Sequence, residues 1–268
     1  MNAGNDSIPA GPLAYLRAGL FNLGFFAWTA AVCLFLWPAI PMGRKAMIRC
    51  ADLWSRGVFA LLAGTVGLRH RIEGLDNLPE RPAILASKHQ SAWDTIAFYR
   101  ILEADPVYVL KRELTWIPIL GWYLRRIGMV PVDRKGGAAA LRRMTAAARA
   151  ILAQGRRIVI FPEGTRTAPG TRRPYHPGIA ALYIASDMPV VPVALNSGQF
   201  WPRRGFLKRP GTITLRILPP IQPGLDRRAF VAELEGRIEE ACAALTATPG
   251  ENSMRNSVNN RDKSDCSV

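Results

Sequence analysis

The feature that most constrains this chain is a long uncharged stretch near its N-terminus. No charged side chain occurs in residues 18–43, and Pro38 and Pro41 mark the point where a helix through this stretch would end. Residues 18–37 are long enough to cross a bilayer, because a spanning helix needs about 20 apolar residues. Basic residues follow from Arg44 to Arg49. If the helix spans, they place the downstream chain in the cytoplasm.

A second apolar stretch, residues 57–68, is too short to cross a membrane and follows a basic segment. Its length and position are typical of a helix that lies at the membrane interface. Two arrangements fit both stretches equally well. Either the two stretches form a helical hairpin that dips into one leaflet, or the first is a single span and the second an amphipathic helix.

The positive net charge of the chain indicates an acidic partner. The sequence has 35 Lys and Arg residues against 20 Asp and Glu residues, which gives a net charge of +15. Anionic lipids and nucleic acids both attract such a surface. The arginines are dispersed among apolar stretches, and no zinc-finger spacing, RNA-binding signature or basic region with heptads is present, so a membrane is favoured. The four cysteines are widely spaced without metal-ligand spacing, which favours a reduced, cytosol-facing protein.

Beyond residue 68 the pattern changes to short apolar runs that alternate with helical segments. This pattern predicts an α/β domain with a mixed central sheet flanked by helices. Strands are predicted at residues 82–87, 107–110, 129–132, 158–161, 190–195 and 212–218. Helices are predicted at residues 92–102, at 138–153 and from Asp226 to about residue 245. The domains are therefore membrane-anchoring helices at 1–68, an α/β domain at 69–247 and a disordered polar tail at 248–268.

One candidate for chemistry lies where the first predicted strand meets a helix. His89 precedes that helix, Ser91 can cap it, and Asp94 falls in its first turn. A carboxylate at this spacing can fold back onto one imidazole nitrogen and make the other a better general base. The spacing alone also fits a turn histidine and an acid that is stabilised by the helix dipole.

A second candidate follows the predicted strand at residues 158–161. Pro162 breaks the strand, Gly164 allows close approach of the backbone, Thr165 offers a hydroxyl and Arg166 offers a guanidinium fork that matches phosphate oxygens. A β-turn with a solvated arginine is an equally good interpretation of this segment taken alone.

A third loop, residues 128–134, again ends a short strand in a charged pair. Arg134 at its end is suited to phosphate, and it is equally suited to a simple salt bridge with Asp133. The sequence by itself gives both interpretations the same weight.

Together these segments resemble the glycerolipid acyltransferase family of bacterial 1-acyl-glycerol-3-phosphate acyltransferases. The resemblance extends over roughly residues 70 to 220, the whole predicted α/β region. Pro131 departs from the family pattern, in which a bulkier residue is expected at this position. The matching blocks are residues 89–94, 128–134, 161–166 and 191–195, with a further similar segment at 111–114.

The resemblance implies roles for these residues. His89 is the base and Asp94 its orienting partner. The positions implied for the lysophospholipid acceptor are Lys111, Arg134, Glu163, Gly164, Thr165 and Arg166. No metal or other cofactor is implied. The cosubstrate is an acyl thioester of acyl carrier protein or of coenzyme A, and both are acidic partners for a basic surface.

The expected function is transfer of an acyl chain to the 2-hydroxyl of 1-acyl-sn-glycerol 3-phosphate, which gives phosphatidic acid, at the bacterial inner membrane with the catalytic domain facing the cytoplasm. Three alternatives stay open. The first is the same reaction on another lysolipid, such as a lyso-ornithine lipid. The second is a non-catalytic membrane-associated protein of the same fold, and the third is a nucleic-acid binder.

Overall fold

The computed structural model describes residues 11–35, 41–80, 82–102, 105–133 and 135–247. Arg134, Trp37 and the predicted tail at 248–268 lie outside the described residues. The helices are α1 (Pro12–Phe35), α2 (Arg44–Leu61), α3 (Trp93–Ile101), α4 (Leu120–Arg126), α5 (Gly137–Ala153), α6 (Pro177–Ser186), α7 (Ser197–Phe200) and α8 (Arg227–Thr246). The strands are β1 (Leu68–Glu73), β2 (Ile84–Ser87), β3 (Pro106–Lys111), β4 (Val130–Val132), β5 (Arg157–Ile160), β6 (Val190–Leu195) and β7 (Gly211–Ile217).

The strands form one sheet in the order β1-β7-β6-β2-β5-β3-β4. The sheet is mixed, as predicted, because β6 and β7 are antiparallel while β1 and β7 pair in parallel. The five strands from β6 to β4 in this order, including β6, all run in the same direction. Their carboxyl ends therefore meet at one edge of the sheet, which is where α/β proteins place their reactive groups.

The central strands are mostly apolar because both faces of the sheet are covered. Every residue of β2 and β6 is buried. Helices α5, α6 and α8 pack together, and α8 contacts β6. Helix α3 contacts α2. Helix α8 begins as predicted, since the Asp226 side chain accepts hydrogen bonds from the backbone N–H groups of Arg228 and Ala229.

The N-terminal helices form a hairpin. Among the described helices, α1 is long and apolar enough to cross a membrane, and 11% of its most apolar window is buried. The indole of Trp28 in α1 donates to the Trp54 carbonyl in α2 at 2.9 Å, and the Trp54 indole donates to Thr29 Oγ1 at 3.0 Å. Helix α2 includes the basic segment that the sequence suggested as a separator, and a wider π turn extends it through Leu62–Val66.

The hairpin is fastened to the α/β domain through Lys208. Its Nζ donates to Asn22 Oδ1 in α1 at 2.7 Å and lies 5.4 Å from the ring centroid of Phe21 and 5.5 Å from that of Trp201. Burial lowers the pKa of Lys208. The Phe21 and Trp201 rings also meet edge to face, with centroids 5.3 Å apart. Helix α1 therefore lies against the domain at this point.

Candidate active site

The His89–Asp94 contact that the spacing suggested is present in the loop between β2 and α3. Ser91 Oγ accepts a hydrogen bond from the Trp93 N–H at 3.1 Å, although the N-cap residue of α3 is Ala92 and not the predicted Ser91. The Nδ1 of His89 lies 2.9 Å from Asp94 Oδ2. The same oxygen accepts from the backbone N–H groups of Gln90, at 2.7 Å, and Ser91, at 2.8 Å. Asp94 is fully buried.

The second oxygen of Asp94 is held by Ser197. Ser197 Oγ donates to Asp94 Oδ1 at 2.5 Å from the first turn of α7, directly after β6. Asp94 thus receives hydrogen bonds from two backbone amides and a hydroxyl, so both of its carboxylate oxygens act as acceptors. His89 Nδ1 must then be the N–H donor to Asp94. This hydrogen-bond network assigns the tautomer of His89 and leaves its Nε2 with a free lone pair.

The His89 ring is fixed by stacking. Its centroid lies 4.0 Å from that of Phe161 with an angle of 20° between the planes, and Phe161 stacks in turn on Tyr108. The His89 side chain is 14% exposed, so the imidazole retains an opening to solvent. Burial raises the pKa of Tyr108 well above its ordinary value, which keeps the phenol neutral beside the stack.

The loop after β5 is tied directly to the loop that carries His89. The Thr167 N–H donates to the His89 carbonyl at 2.8 Å. Glu163 Oε2 accepts from the His89 N–H at 3.2 Å, and Glu163 Oε1 accepts from Thr167 Oγ1 at 2.9 Å. Gly164 has φ of +63°, a conformation that other residues rarely adopt. The third block thus folds around the backbone of the first.

Behind this loop lies a buried charge cluster. The Nζ of Lys88 is 2.8 Å from Glu163 Oε1 and 2.7 Å from Glu239 Oε1, and it donates to the Thr171 carbonyl at 3.2 Å. Burial lowers the pKa of Lys88, but hydrogen bonds and charge from the two carboxylates outweigh it, so the pKa is raised. The Glu163 carboxylate is closed off from solvent in this cluster. Its geometry favours positioning of the loop over direct contact with an acceptor.

The other predicted acceptor positions follow strands that end at the same edge. Lys111 is the exposed last residue of β3, and Arg166 is half-buried after β5. Arg203 donates to the Arg166 carbonyl at 2.9 Å, whereas the Arg166 guanidinium makes no hydrogen bond or salt bridge to another described residue. Asp133, the suggested partner of the undescribed Arg134, lies 3.0 Å from the Arg112 guanidinium.

Comparisons with known proteins place this geometry in a family. A family model described as Acyltransferase matches residues 69–196. A 1-acyl-sn-glycerol-3-phosphate acyltransferase of Pseudomonas aeruginosa is 34% identical over 220 residues, which are 82% of this chain and 84% of that protein. The chain belongs to this acyltransferase family.

Two further comparisons agree with that assignment. The acyltransferase is 32% identical over 197 residues to a 1-acyl-sn-glycerol-3-phosphate acyltransferase of Limnanthes douglasii, which covers 73% of this chain and 68% of the plant protein. The crystal structure of the 1-acyl-sn-glycerophosphate acyltransferase of Thermotoga maritima superposes with a TM-score of 0.71 at 22% identity, over 87% of this chain and 98% of the other. The latter comparison supports the fold.

Sequence reasoning missed three residues that support the site of the acyltransferase. Ser197 lies in none of the segments that carry the family resemblance. Its position directly after the buried strand β6, at the same sheet edge as His89, was the signal that could have identified it. Lys88 and Glu239 gave no such signal, because their contact joins positions 151 residues apart.

Proposed function

We propose that this acyltransferase transfers an acyl chain from a thioester of acyl carrier protein or coenzyme A to the 2-hydroxyl of 1-acyl-sn-glycerol 3-phosphate, giving phosphatidic acid. The observation that carries the proposal is the His89–Asp94 pair, in which Nδ1 contacts the carboxylate and Nε2 has no hydrogen-bond partner among the described residues. A base that is oriented in this way suits removal of a proton from an alcohol. The activities of the relatives named above supply the acceptor.

The proposed reaction needs no protein nucleophile. His89 Nε2 takes the proton of the 2-hydroxyl as its oxygen forms a bond to the thioester carbonyl carbon. The tetrahedral intermediate then breaks its carbon–sulfur bond, and the departing thiolate takes the proton back from His89 Nε2. Asp94 stabilises the transient imidazolium, and Ser197 holds Asp94 in place. The products are the 2-acylated lipid and the free thiol of the donor.

The acceptor phosphate is proposed to lie at the carboxyl ends of β3 and β5. Arg166 presents a guanidinium without a protein partner among the described residues, and Lys111 presents an exposed ammonium at the end of the adjacent strand. Two cations suit the double negative charge of a phosphomonoester. Arg134, two residues after β4 in the sequence, is proposed as a third.

The hairpin is proposed to lie within one leaflet of the inner membrane, on the cytoplasmic side. Helix α1 contacts the domain near its middle, through Asn22 and Phe21, and Pro41, beyond its C-terminal end, lines a recess with Trp122 of α4. A helix that crossed the bilayer would move its far end roughly 30 Å from the domain. Contact with the domain at the middle of α1, and again beyond its C-terminal end, favours an embedded hairpin, which brings His89 to lipid in the same leaflet.

A transfer assay tests the proposal. The detergent-purified protein receives a radiolabelled acyl thioester, as acyl carrier protein and coenzyme A derivatives in parallel, together with lysophosphatidic acid or lyso-ornithine lipid. We expect phosphatidic acid as the dominant product, and a His89→Gln variant serves as the blank. Transfer only to lyso-ornithine lipid would contradict lysophosphatidic acid as the acceptor and leave the assignment of His89 as the base unchanged. Absence of transfer to either acceptor would contradict the proposal as a whole.

A further inference from the structure

A second group of exposed apolar side chains, outside the hairpin, lies between β3 and β4. Six large hydrophobic side chains are exposed within a short segment, and we name this segment the aromatic platform. Trp116 is 64% exposed and Trp122 is 60% exposed. A cluster of this kind on a folded domain indicates a contact surface. The members of the platform are Leu114, Trp116, Ile117, Ile119, Leu120 and Trp122.

The backbone holds the platform in this exposed conformation. A Cβ at Gly121 would lie 2.1 Å from the Thr115 carbonyl oxygen, so the chain packs closely on itself here. Arg125 donates to the same carbonyl at 2.7 Å. Ile119 has φ of +64°, which is rare for a β-branched residue. A strained residue within a tight turn indicates a fixed shape that presents these side chains outward.

Basic side chains border the platform. Lys111 and Arg112 precede it, Arg125 and Arg126 end it, and Glu113 is the single acidic residue in positions 111–126. All four basic residues are exposed. The Arg112 guanidinium lies 5.5 Å from the centroid of the Trp116 ring. Exposed tryptophans bordered by arginine and lysine match the interface of a bilayer with anionic head groups.

The platform adjoins the hairpin. Pro41, in the turn between α1 and α2, lines a recess together with Trp122, Arg125 and Arg126. Tyr123 donates to the Met47 carbonyl of α2 at 2.9 Å. Met42, in the same turn, is exposed. The apolar surface of the hairpin therefore continues onto the platform.

We propose that the aromatic platform is a second membrane-contact surface, which places Trp116 and Trp122 among the head groups of an anionic phospholipid leaflet. The inference rests on the membrane association in the proposed function. Contact between the platform and lipid is a membrane attachment in addition to that of the hairpin. Because Lys111 ends β3 immediately before the platform, contact with lipid here sets the height of the proposed phosphate site relative to the head groups.

Fluorescence on the full-length protein tests the contact without reference to activity. The wild type and a Trp116→Phe/Trp122→Phe variant are reconstituted in vesicles of phosphatidylcholine and phosphatidylglycerol with brominated acyl chains, and the difference in emission reports the two platform tryptophans. We expect quenching by bromines near the head groups and protection from aqueous iodide. Quenching by iodide alone would overturn the proposal. Protection from both quenchers would also overturn it, because it would indicate a protein partner or a second copy on the platform.

A kinetic experiment tests whether contact between the platform and lipid lowers the KM for a lysolipid in vesicles. With lysolipid presented in the same vesicles, Trp116→Gln/Trp122→Gln should raise KM about tenfold, the effect of losing interfacial burial of aromatic surface. A short-chain, water-soluble lysolipid should show no such change. Ile184→Gln, on an exposed apolar residue of α6, is the matched control. An unchanged KM in vesicles would overturn the proposal. A wild-type protein without transfer activity would contradict the proposed function, and the fluorescence experiment would still test the platform.

Discussion

Lys88 and Glu239 form a buried salt bridge, 2.7 Å from Nζ to Oε1, between the residue that precedes His89 and the last helix. The same ammonium lies 2.8 Å from Glu163 Oε1 in the loop after β5. One charge therefore joins α8 and two loops of the active site. Glu163 in turn accepts a hydrogen bond from the backbone of His89. The position of the base depends on this cluster, although none of its side chains needs to touch a substrate.

Lys88→Met should reduce the free energy of unfolding by roughly 3–5 kcal/mol near neutral pH, because it leaves two buried carboxylates without a cation. Protonation of one carboxylate relieves this repulsion, so the loss should shrink in acid. In the wild type the pKa of Lys88 is raised above 10.5, so its contribution is fully present below that value and is lost only as the pH rises through the folded pKa. Chemical denaturation of the detergent-solubilised protein, from acid to alkaline pH, measures the loss of stability and its dependence on pH.

Glu239→Gln is the matched comparison, because it leaves Lys88 paired with Glu163. We expect a smaller loss of stability that does not shrink in acid. Equal losses for the two variants at every pH would show that the cluster is not a charge-coupled unit.

The sheet was largely predictable from sequence because its central strands are buried on both faces. The predicted bounds of β6 are the observed ones, and the other five predicted strands lie within two residues of the observed bounds. The edge strand β1 was missed, since Arg69, His70 and Arg71 face solvent and interrupt any apolar pattern. Helix α6 was also missed, because an almost uniformly apolar segment shows no helical periodicity.

The site was predictable only in so far as its contacts are local. His89 and Asp94 are five positions apart, and the first turn of a helix brings them together. Ser197 reaches Asp94 from a position 103 residues away, through the adjacency of β2 and β6. The burial of the Glu163 carboxylate likewise depends on Lys88 and a distant helix. Periodicity and motif spacing carry no information about such contacts.

His89→Ala should abolish most acyl transfer and leave the fold intact. The loss of a general base typically slows a reaction by roughly 100- to 10,000-fold. Thermal unfolding and flotation with vesicles should match the wild type, because the ring packs on Phe161 at a partly open position. Initial rates at saturating donor and acceptor give the comparison. Turnover close to that of the wild type would remove His89 from the mechanism.

Ser197→Ala should lower kcat about tenfold, the usual effect of removing one hydrogen bond to a charged group, and leave both KM values near those of the wild type. The separation of kcat from KM distinguishes a positioning role from a general disturbance of the fold. Ser197→Thr keeps the hydroxyl and should restore part of the rate. A Thr variant as slow as the Ala variant, with normal folding, would argue against the hydrogen bond to Asp94 as the cause.

Arg166→Ala should raise KM for lysophosphatidic acid by roughly 10- to 100-fold, since one charge-assisted guanidinium–phosphate contact contributes about 1.5–3 kcal/mol. The KM for the acyl donor should stay unchanged. Arg149→Ala removes the same charge from the exposed side of α5 and controls for a general electrostatic effect. If Arg166→Ala changed the donor KM alone, the phosphate would lie elsewhere on the edge, and the carboxyl end of β5 would be the thioester side of the site.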